Sequence, residues 1–293
     1  MLKGLYIALV TPFKDNGSLN EEKLAELVKF HSSAGTDGLV PCATTSESPA
    51  LSRDEQDRMI KIAVKHSSGR MKVVAGCGTN STEGSIENIR RARSLGADAA
   101  MTASPYYNKP TQEGLYAHFR KLADEGGLPL MLYNVPGRTG VNIDPVTVER
   151  LCDHENIVAV KEASGDVEQV SEIIARCGER IDLLSGDDAI TLPVLSAGGR
   201  GVVSVVGNII PGLMLKLISL FNEGNQAEAT ELHLKLLPLC QAMFLETNPV
   251  PVKEAMNMIG KEIGGPRLPL VGLREENRIK LREVLTDFGL LGK

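Results

Sequence analysis

Leu130-Met-Leu-Tyr133-Asn-Val-Pro-Gly-Arg138-Thr-Gly140 is followed, after a segment opened by Asp144-Pro145, by Ile157-Val-Ala-Val-Lys161. Both ends of this stretch are short apolar runs. Neither alternates apolar with polar residues, as expected of parallel strands covered on both faces. The segment between them is long enough for a crossover helix, and Asp144 before Pro145 is a helix-start signal. The stretch therefore reads as one strand–helix–strand unit.

The same pattern continues outward in both directions. Further runs are Tyr6-Ile-Ala-Leu-Val10, Gly38-Leu-Val-Pro-Cys42, Lys72-Val-Val-Ala-Gly76, Ala99-Ala-Met-Thr102, Asp182-Leu-Leu-Ser185 and Gly201-Val-Val-Ser-Val205. With the first two they make eight, spaced by about 30 residues, the size of a βα unit. Ser18-Leu-Asn-Glu21 and Ser52-Arg-Asp-Glu55 read as capping boxes, and Thr111 and Asp166 as further N-caps. The α/β reading is a (β/α)8 barrel over residues 1–224. A doubly wound sheet would have fewer strands and a glycine-rich first turn, where this chain has Thr11-Pro12-Phe13. Residues 225–293 show helical periodicity and no strand, so a small all-helical C-terminal domain is expected.

Composition narrows the function. The chain has 293 residues, 42% of them hydrophobic and 24% charged, with a net charge of −5. It has enough apolar residues for a sizeable core. An acidic chain with no Trp and only 5 Tyr and 6 Phe argues against nucleic-acid binding. Cys42, Cys77, Cys152, Cys177 and Cys240 are scattered, which fits reduced thiols, a cytoplasmic location and no zinc site. The apolar run Leu5 to Val10 is too short for a signal segment. Gly201 to Leu215 is uncharged, but Asn208 and Pro211 split it into a strand and a helix, so no membrane partner is expected.

Barrel chemistry sits at the C-terminal ends of strands. Those ends carry Thr44-Thr45-Ser46-Glu47, Tyr106-Tyr107, Tyr133, Arg138, Lys161 and Gly186. A cation is costly in an apolar barrel, and a neutral amine there can attack a carbonyl to form a Schiff base. The plainer alternative for Lys161 is a side chain reaching solvent or paired with Glu162. Tyr133, one strand away, suits proton transfer, although many tyrosines serve only packing. Thr44 and Tyr107 could extend a proton relay. Arg138 suits bidentate capture of a carboxylate, or a surface ion pair. Gly186 and the Thr45 backbone could approach a small substrate closely. The five histidines lie away from the strand ends, and no phosphate-loop, nucleophile-elbow or dinucleotide motif is present. Gly198-Gly199-Arg200-Gly201 precedes a strand and reads as a turn on the opposite face.

Together these residues resemble the pyruvate-dependent class I aldolases, the family of dihydrodipicolinate synthase and N-acetylneuraminate lyase. The resemblance spans essentially the whole chain, from Ala8-Leu-Val-Thr-Pro12 through Thr44-Thr45-Ser46-Glu47, Pro105-Tyr106-Tyr107-Asn108, Tyr133 to Gly140 and Val160-Lys-Glu-Ala163, to Asn248-Pro-Val-Pro-Val-Lys253. Arg138 in Pro-Gly-Arg-Thr-Gly is similar to the synthase branch. The resemblance implies a Schiff base between Lys161 and pyruvate, with Tyr133 relaying protons through Thr44 and Tyr107. It implies that Thr45 and Val203 hold pyruvate with Gly186 nearby, and that Arg138 binds the carboxylate of L-aspartate 4-semialdehyde. It also implies no metal or organic cofactor, a step of diaminopimelate and lysine biosynthesis, and a homotetramer in which Tyr107 crosses a tight dimer interface. The alternatives are a sister aldolase acting on a sialic acid or a 2-keto-3-deoxy sugar acid, and a non-catalytic barrel.

Two departures from the family pattern carry expectations. Ser46 stands where glycine is usual, which puts the geometry around Thr45 in question; activity is expected to survive. Ser48, Asn80 and Tyr106 match the family's allosteric lysine site, but Arg53 replaces a histidine (tryptophan in the plant enzymes), Gln56 a second histidine and Gly84 a glutamate, with Glu83 adjacent. An added cation and a lost carboxylate disfavour a cationic ligand, so weak or absent lysine inhibition is expected.

Overall fold

The computed structural model describes residues 2–67 and 69–292. Its centre is a closed barrel of eight parallel strands in sequence order. The strands are β1 (Gly4–Ala8), β2 (Gly38–Val40), β3 (Lys72–Gly76), β4 (Ala99–Ala103), β5 (Leu130–Asn134), β6 (Ile157–Glu162), β7 (Asp182–Ser185) and β8 (Gly201–Ser204). The helices are α1 (Glu21–Ala34), α2 (Arg53–Ser67), α3 (Thr82–Ser94), α4 (Gln112–Glu125), α5 (Pro136–Thr139), α6 (Pro145–Leu151), α7 (Val167–Cys177), α8 (Thr191–Ser196) and α9 (Pro211–Asn222). Three more follow: α10 (Gln226–Ala242), α11 (Val250–Met258) and α12 (Glu275–Asp287). This is the (β/α)8 barrel expected, with helices and no strand among the described residues after 224.

All eight expected strands form. β1 lies two residues further toward the N-terminus than its apolar run, because Gly4 to Ile7 pair with Gly201 to Ser204 and so close the barrel. One cap also differs. Asn20, not Ser18, accepts from the Lys23 amide at the start of α1, while Ser18 bonds the Asn16 side chain. The Ser52 box forms as expected, with the Ser52 amide donating to Glu55 and the Glu55 amide donating to Ser52 Oγ. Thr111 and Asp166 cap α4 and α7, whereas Asp144 precedes α6 without a capping bond, its Oδ1 accepting instead from Asn142 Nδ2.

The lower rim is pinned by carboxylates. Asp37, Asp98 and Asp182 accept from the backbone amides of Leu5, Val73 and Leu2 at 2.7, 2.8 and 2.7 Å. These charge-assisted bonds hold the strand starts in register. At the opposite end Asp188 accepts from the amides of Val205 and Val206, both at 2.8 Å. Both faces of the strands are covered, and residues such as Leu5, Ile7, Val74, Leu132, Val160 and Val202 all have at most 1% exposure. A packed interior leaves room for chemistry only at the mouth.

Candidate active site

Tyr133 and Lys161 are register partners on β5 and β6. Their side chains therefore share one side of the sheet, on neighbouring strands. Both are buried, at 6% and 4% exposure. Lys161 Nζ stands 4.2 Å from the centroid of the Tyr133 ring. Lys161 is not paired with Glu162, because the next register pair turns the other way. Asn134 Nδ2 donates to Glu162 Oε2 at 2.9 Å, Gln169 Nε2 on α7 donates to the same oxygen at 3.0 Å, and the Ser164 amide donates to Oε1 at 2.7 Å. Glu162 is thus satisfied outside the barrel, and Lys161 has no ion-pair partner among the described residues.

The amine is closely packed. A Cβ added at Gly186 would lie 3.0 Å from Lys161 Cε and 2.6 Å from Ala163 Cβ, so a side chain there would press on the lysine stem. Val203 on β8 is fully buried. A cavity of about 440 Å³ opens beside this group, and its wall includes Thr44, Tyr133, Val135, Arg138, Ser48 and Tyr106. Arg138, on the short helix α5, forms no ion pair among the described residues; its Nη2 donates to the Asn248 carbonyl at 3.1 Å.

The Thr44–Glu47 segment is fixed from several sides. Ser46 does not have a left-handed backbone, whereas its neighbour Glu47 does, with φ of 57°. Ser46 Oγ donates to the Leu9 carbonyl at 2.5 Å, and Thr11 Oγ1 donates to the Ser46 carbonyl at 2.6 Å. The serine is therefore accommodated and hydrogen-bonded. Thr45, 2% exposed, accepts from Asn248 Nδ2 at 2.9 Å. Glu47 Oε1 meets Lys253 Nζ of α11 at 2.7 Å, with both side chains 1% exposed. Burial lowers the Lys253 pKa, and the Glu47 carboxylate opposes that shift. Lys253 and Arg267 also lie over the Phe13 ring at 4.3 and 4.1 Å.

Sequence reasoning did not single out Asn248, Glu47, Lys253 or Arg267 as parts of this site. Their partners lie more than 100 residues away along the chain, and no local spacing announces such contacts. Tyr107 does not join the site within one chain. Its side chain is 90% exposed, its φ is 73°, and it does not line the cavity. Of the expected lysine-site residues, Ser48 and Tyr106 line the cavity, while Asn80 is tied through its carbonyl to Asn108 Nδ2 at 2.9 Å. Arg53 lies 3.5 Å from Glu87, and Glu83 lies 3.5 Å from Lys121. Among the described residues no three His, Cys, Asp or Glu side chains gather as a metal site. No helix there is long and apolar enough to cross a membrane.

Comparison with known proteins decides the lineage. The model of the dihydrodipicolinate synthetase family matches residues 1–288. The chain belongs to the dihydrodipicolinate synthetase family. Among relatives, the 4-hydroxy-tetrahydrodipicolinate synthase of Citrifermentans bemidjiense is 53% identical over 99% of this chain and 100% of its own. A dihydrodipicolinate synthase from Acinetobacter baumannii, solved in complex with pyruvate, superposes with a TM-score of 0.97 at 39% identity, covering 99% of this chain and 100% of that one. A variant described as the first monomeric dihydrodipicolinate synthase superposes at 0.96 with 40% identity, covering 99% of this chain and 98% of that one. Membership of the dihydrodipicolinate synthetase family and the Lys161–Tyr133 pair thus rest on independent observations.

Proposed function

We infer that this chain is a lyase that condenses pyruvate with L-aspartate 4-semialdehyde to give 4-hydroxy-tetrahydrodipicolinate, the entry to diaminopimelate and lysine. The observation that carries the reading is the buried Lys161 amine set 4.2 Å from the Tyr133 ring at the barrel mouth, in a chain whose relatives bear the synthase name. Lys161 Nζ attacks the pyruvate ketone, and loss of water leaves the Schiff base. Tyr133 moves the protons of carbinolamine formation, dehydration and enamine formation, with Thr44 and Tyr107 as the relay. Thr45 and Val203 hold pyruvate beside Gly186. The enamine carbon bonds to the aldehyde carbon of the second substrate, whose carboxylate Arg138 takes with its free N–H groups. The amine of that substrate then displaces Lys161 by transimination, closing the ring and returning the free lysine. These steps balance without a metal or organic cofactor.

Residues 1–224 form the catalytic barrel in this reading and residues 225–293 a helical domain that braces it. Tyr107 is exposed in a single chain, which suits a residue delivered to a neighbour's site, so the assembly is a homotetramer of two tight dimers in the cytoplasm. The existence of a monomeric relative makes sedimentation the direct check. Lysine inhibition is weak or absent, because Arg53 adds a cation and Gly84 removes one carboxylate at the positions that match the family's lysine site.

The test is a coupled assay with pyruvate and L-aspartate 4-semialdehyde, using dihydrodipicolinate reductase to report NADPH loss. Pyruvate-dependent oxidation that Lys161→Ala abolishes, and that 1 mM lysine leaves largely intact, is expected. Borohydride should trap a pyruvate adduct on Lys161. No turnover with an adduct would mean a sister aldolase; neither would mean a non-catalytic barrel.

A further inference from the structure

Asn248 joins two features of the site. It immediately precedes the segment that opens α11, is 5% exposed, and contacts both Thr45 and Arg138. The two contacts use different parts of the residue. The side-chain Nδ2 donates to Thr45 Oγ1 at 2.9 Å, whereas the backbone carbonyl accepts from Arg138 Nη2 at 3.1 Å.

The Thr45 contact has a directional consequence. A threonine hydroxyl has one proton and two lone pairs. Asn248 occupies a lone pair, so the proton must point elsewhere. Among the described residues Thr45 Oγ1 has no acceptor for that proton, which leaves it for an oxygen of a bound molecule. The Arg138 contact similarly consumes one N–H and orients the fork, leaving the other donors free. The second half of the Asn248 amide is not used by the fold, because Oδ1 is buried and has no partner among the described residues. A residue chosen for stability alone would not leave a buried acceptor unsatisfied.

We propose that Asn248 is a positioning residue for both substrates, aiming the Thr45 hydroxyl proton at the pyruvate carboxylate and holding the Arg138 guanidinium over the second subsite. This rests on the condensation proposed above. The ion pair of Glu47 with Lys253 supports the arrangement from both sides, since Glu47 is two residues beyond Thr45 and Lys253 five beyond Asn248. Displacement of the 247–253 segment would therefore move Thr45 and Arg138 together.

The two contacts predict a split in the kinetics. Asn248→Ala removes the donor to Thr45 but keeps the carbonyl that Arg138 uses. Its KM for pyruvate should rise about five- to tenfold, the scale of one lost hydrogen bond, while KM for the semialdehyde moves less than twofold. Asn248→Asp is closer in shape yet should be worse for pyruvate, by about 30-fold or more, because a carboxylate accepts the Thr45 proton and faces an anionic substrate. In a Thr45→Val background, Asn248→Ala should add no further pyruvate effect. Thermal melts of each variant report folding separately.

Pyruvate KM within twofold of wild type in Asn248→Ala, better retention in Asn248→Asp than in Asn248→Ala, or multiplying effects of the Thr45 and Asn248 changes would each overturn the proposal. Wild-type turnover is measured first. Its absence overturns the assigned reaction, whereas an active wild type with unmoved Asn248 variants overturns the positioning role alone.

Discussion

Ser46 shows how a departure from a family pattern is resolved by one side chain's surroundings. Glycine at this position suggests a left-handed turn or a close approach. The left-handed residue is instead Glu47, and Ser46 uses its hydroxyl to bind the Leu9 carbonyl across the top of β1. Removing a buried hydrogen bond of this kind costs about 1 kcal/mol, and glycine adds backbone entropy to the unfolded chain. Ser46→Gly is therefore expected to lower the free energy of unfolding by about 1–2 kcal/mol in a denaturant titration while leaving kcat within about twofold. A large gain in activity would show that serine distorts Thr45. Lys161 makes the complementary point. The residue type and its place after an apolar run suggested chemistry, but only the register with Tyr133 and the outward bonding of Glu162 separate a reactive amine from an ion-paired one.

At the scale of elements, α11 is the part whose role was least legible. Its helical periodicity was plain, yet nothing in the local sequence marks Lys253 as a buried residue. In the fold it is buried against Glu47. Breaking a buried pair by removing one partner leaves a charge without compensation, at a cost of about 3–5 kcal/mol. Lys253→Met should accordingly lower the melting temperature by several degrees. Adding Glu47→Leu should restore much of the loss, since a buried pair and an apolar replacement are often close in energy. A double variant no more stable than Lys253→Met alone would mean that Glu47 matters through its bond to the Arg267 amide. The capping boxes show the same limit on a smaller scale. Ser52 and Glu55 behaved as their spacing implied, while at α1 the cap is Asn20 rather than Ser18, which lies beside the bridge between Phe13 and Leu19.

For the whole molecule, acid stability follows from two buried histidines. Among the described residues His31 has no partner at either ring nitrogen and His118 none at Nε2. Burial lowers their pKa values from 6.5 to about 3 and about 4; the nearby Lys261 adds to the shift at His31. Both folded values lie below the unfolded one. The stabilisation is thus fully present above pH 6.5 and is lost as pH falls toward 4 and 3. Across that window each histidine contributes a slope of about 1.4 kcal/mol per pH unit. Urea midpoints measured from pH 7 to 4.5 should fall, and His31→Leu should flatten the fall by about that slope. An unchanged slope would mean that His31 is not the titrating group.

The barrel was determined by the sequence alone, because parallel strands buried on both faces must be apolar throughout and βα units must recur at a fixed spacing. Lys161, Tyr133, Thr44 and Arg138 could be named as candidates for the same reason: a strand's C-terminal end in such a barrel is a defined place. The tertiary structure alone decided which of the strand-end residues meet. It set Lys161 against Tyr133, turned Glu162 outward, left Tyr107 exposed in the single chain, and brought Asn248 and Lys253 onto Thr45 and Glu47. The contacts of Asn248 with Thr45 and of Lys253 with Glu47 join positions roughly 200 residues apart. Local periodicity encodes which face a residue occupies, but a hydrogen bond across such a separation depends on how the completed elements pack.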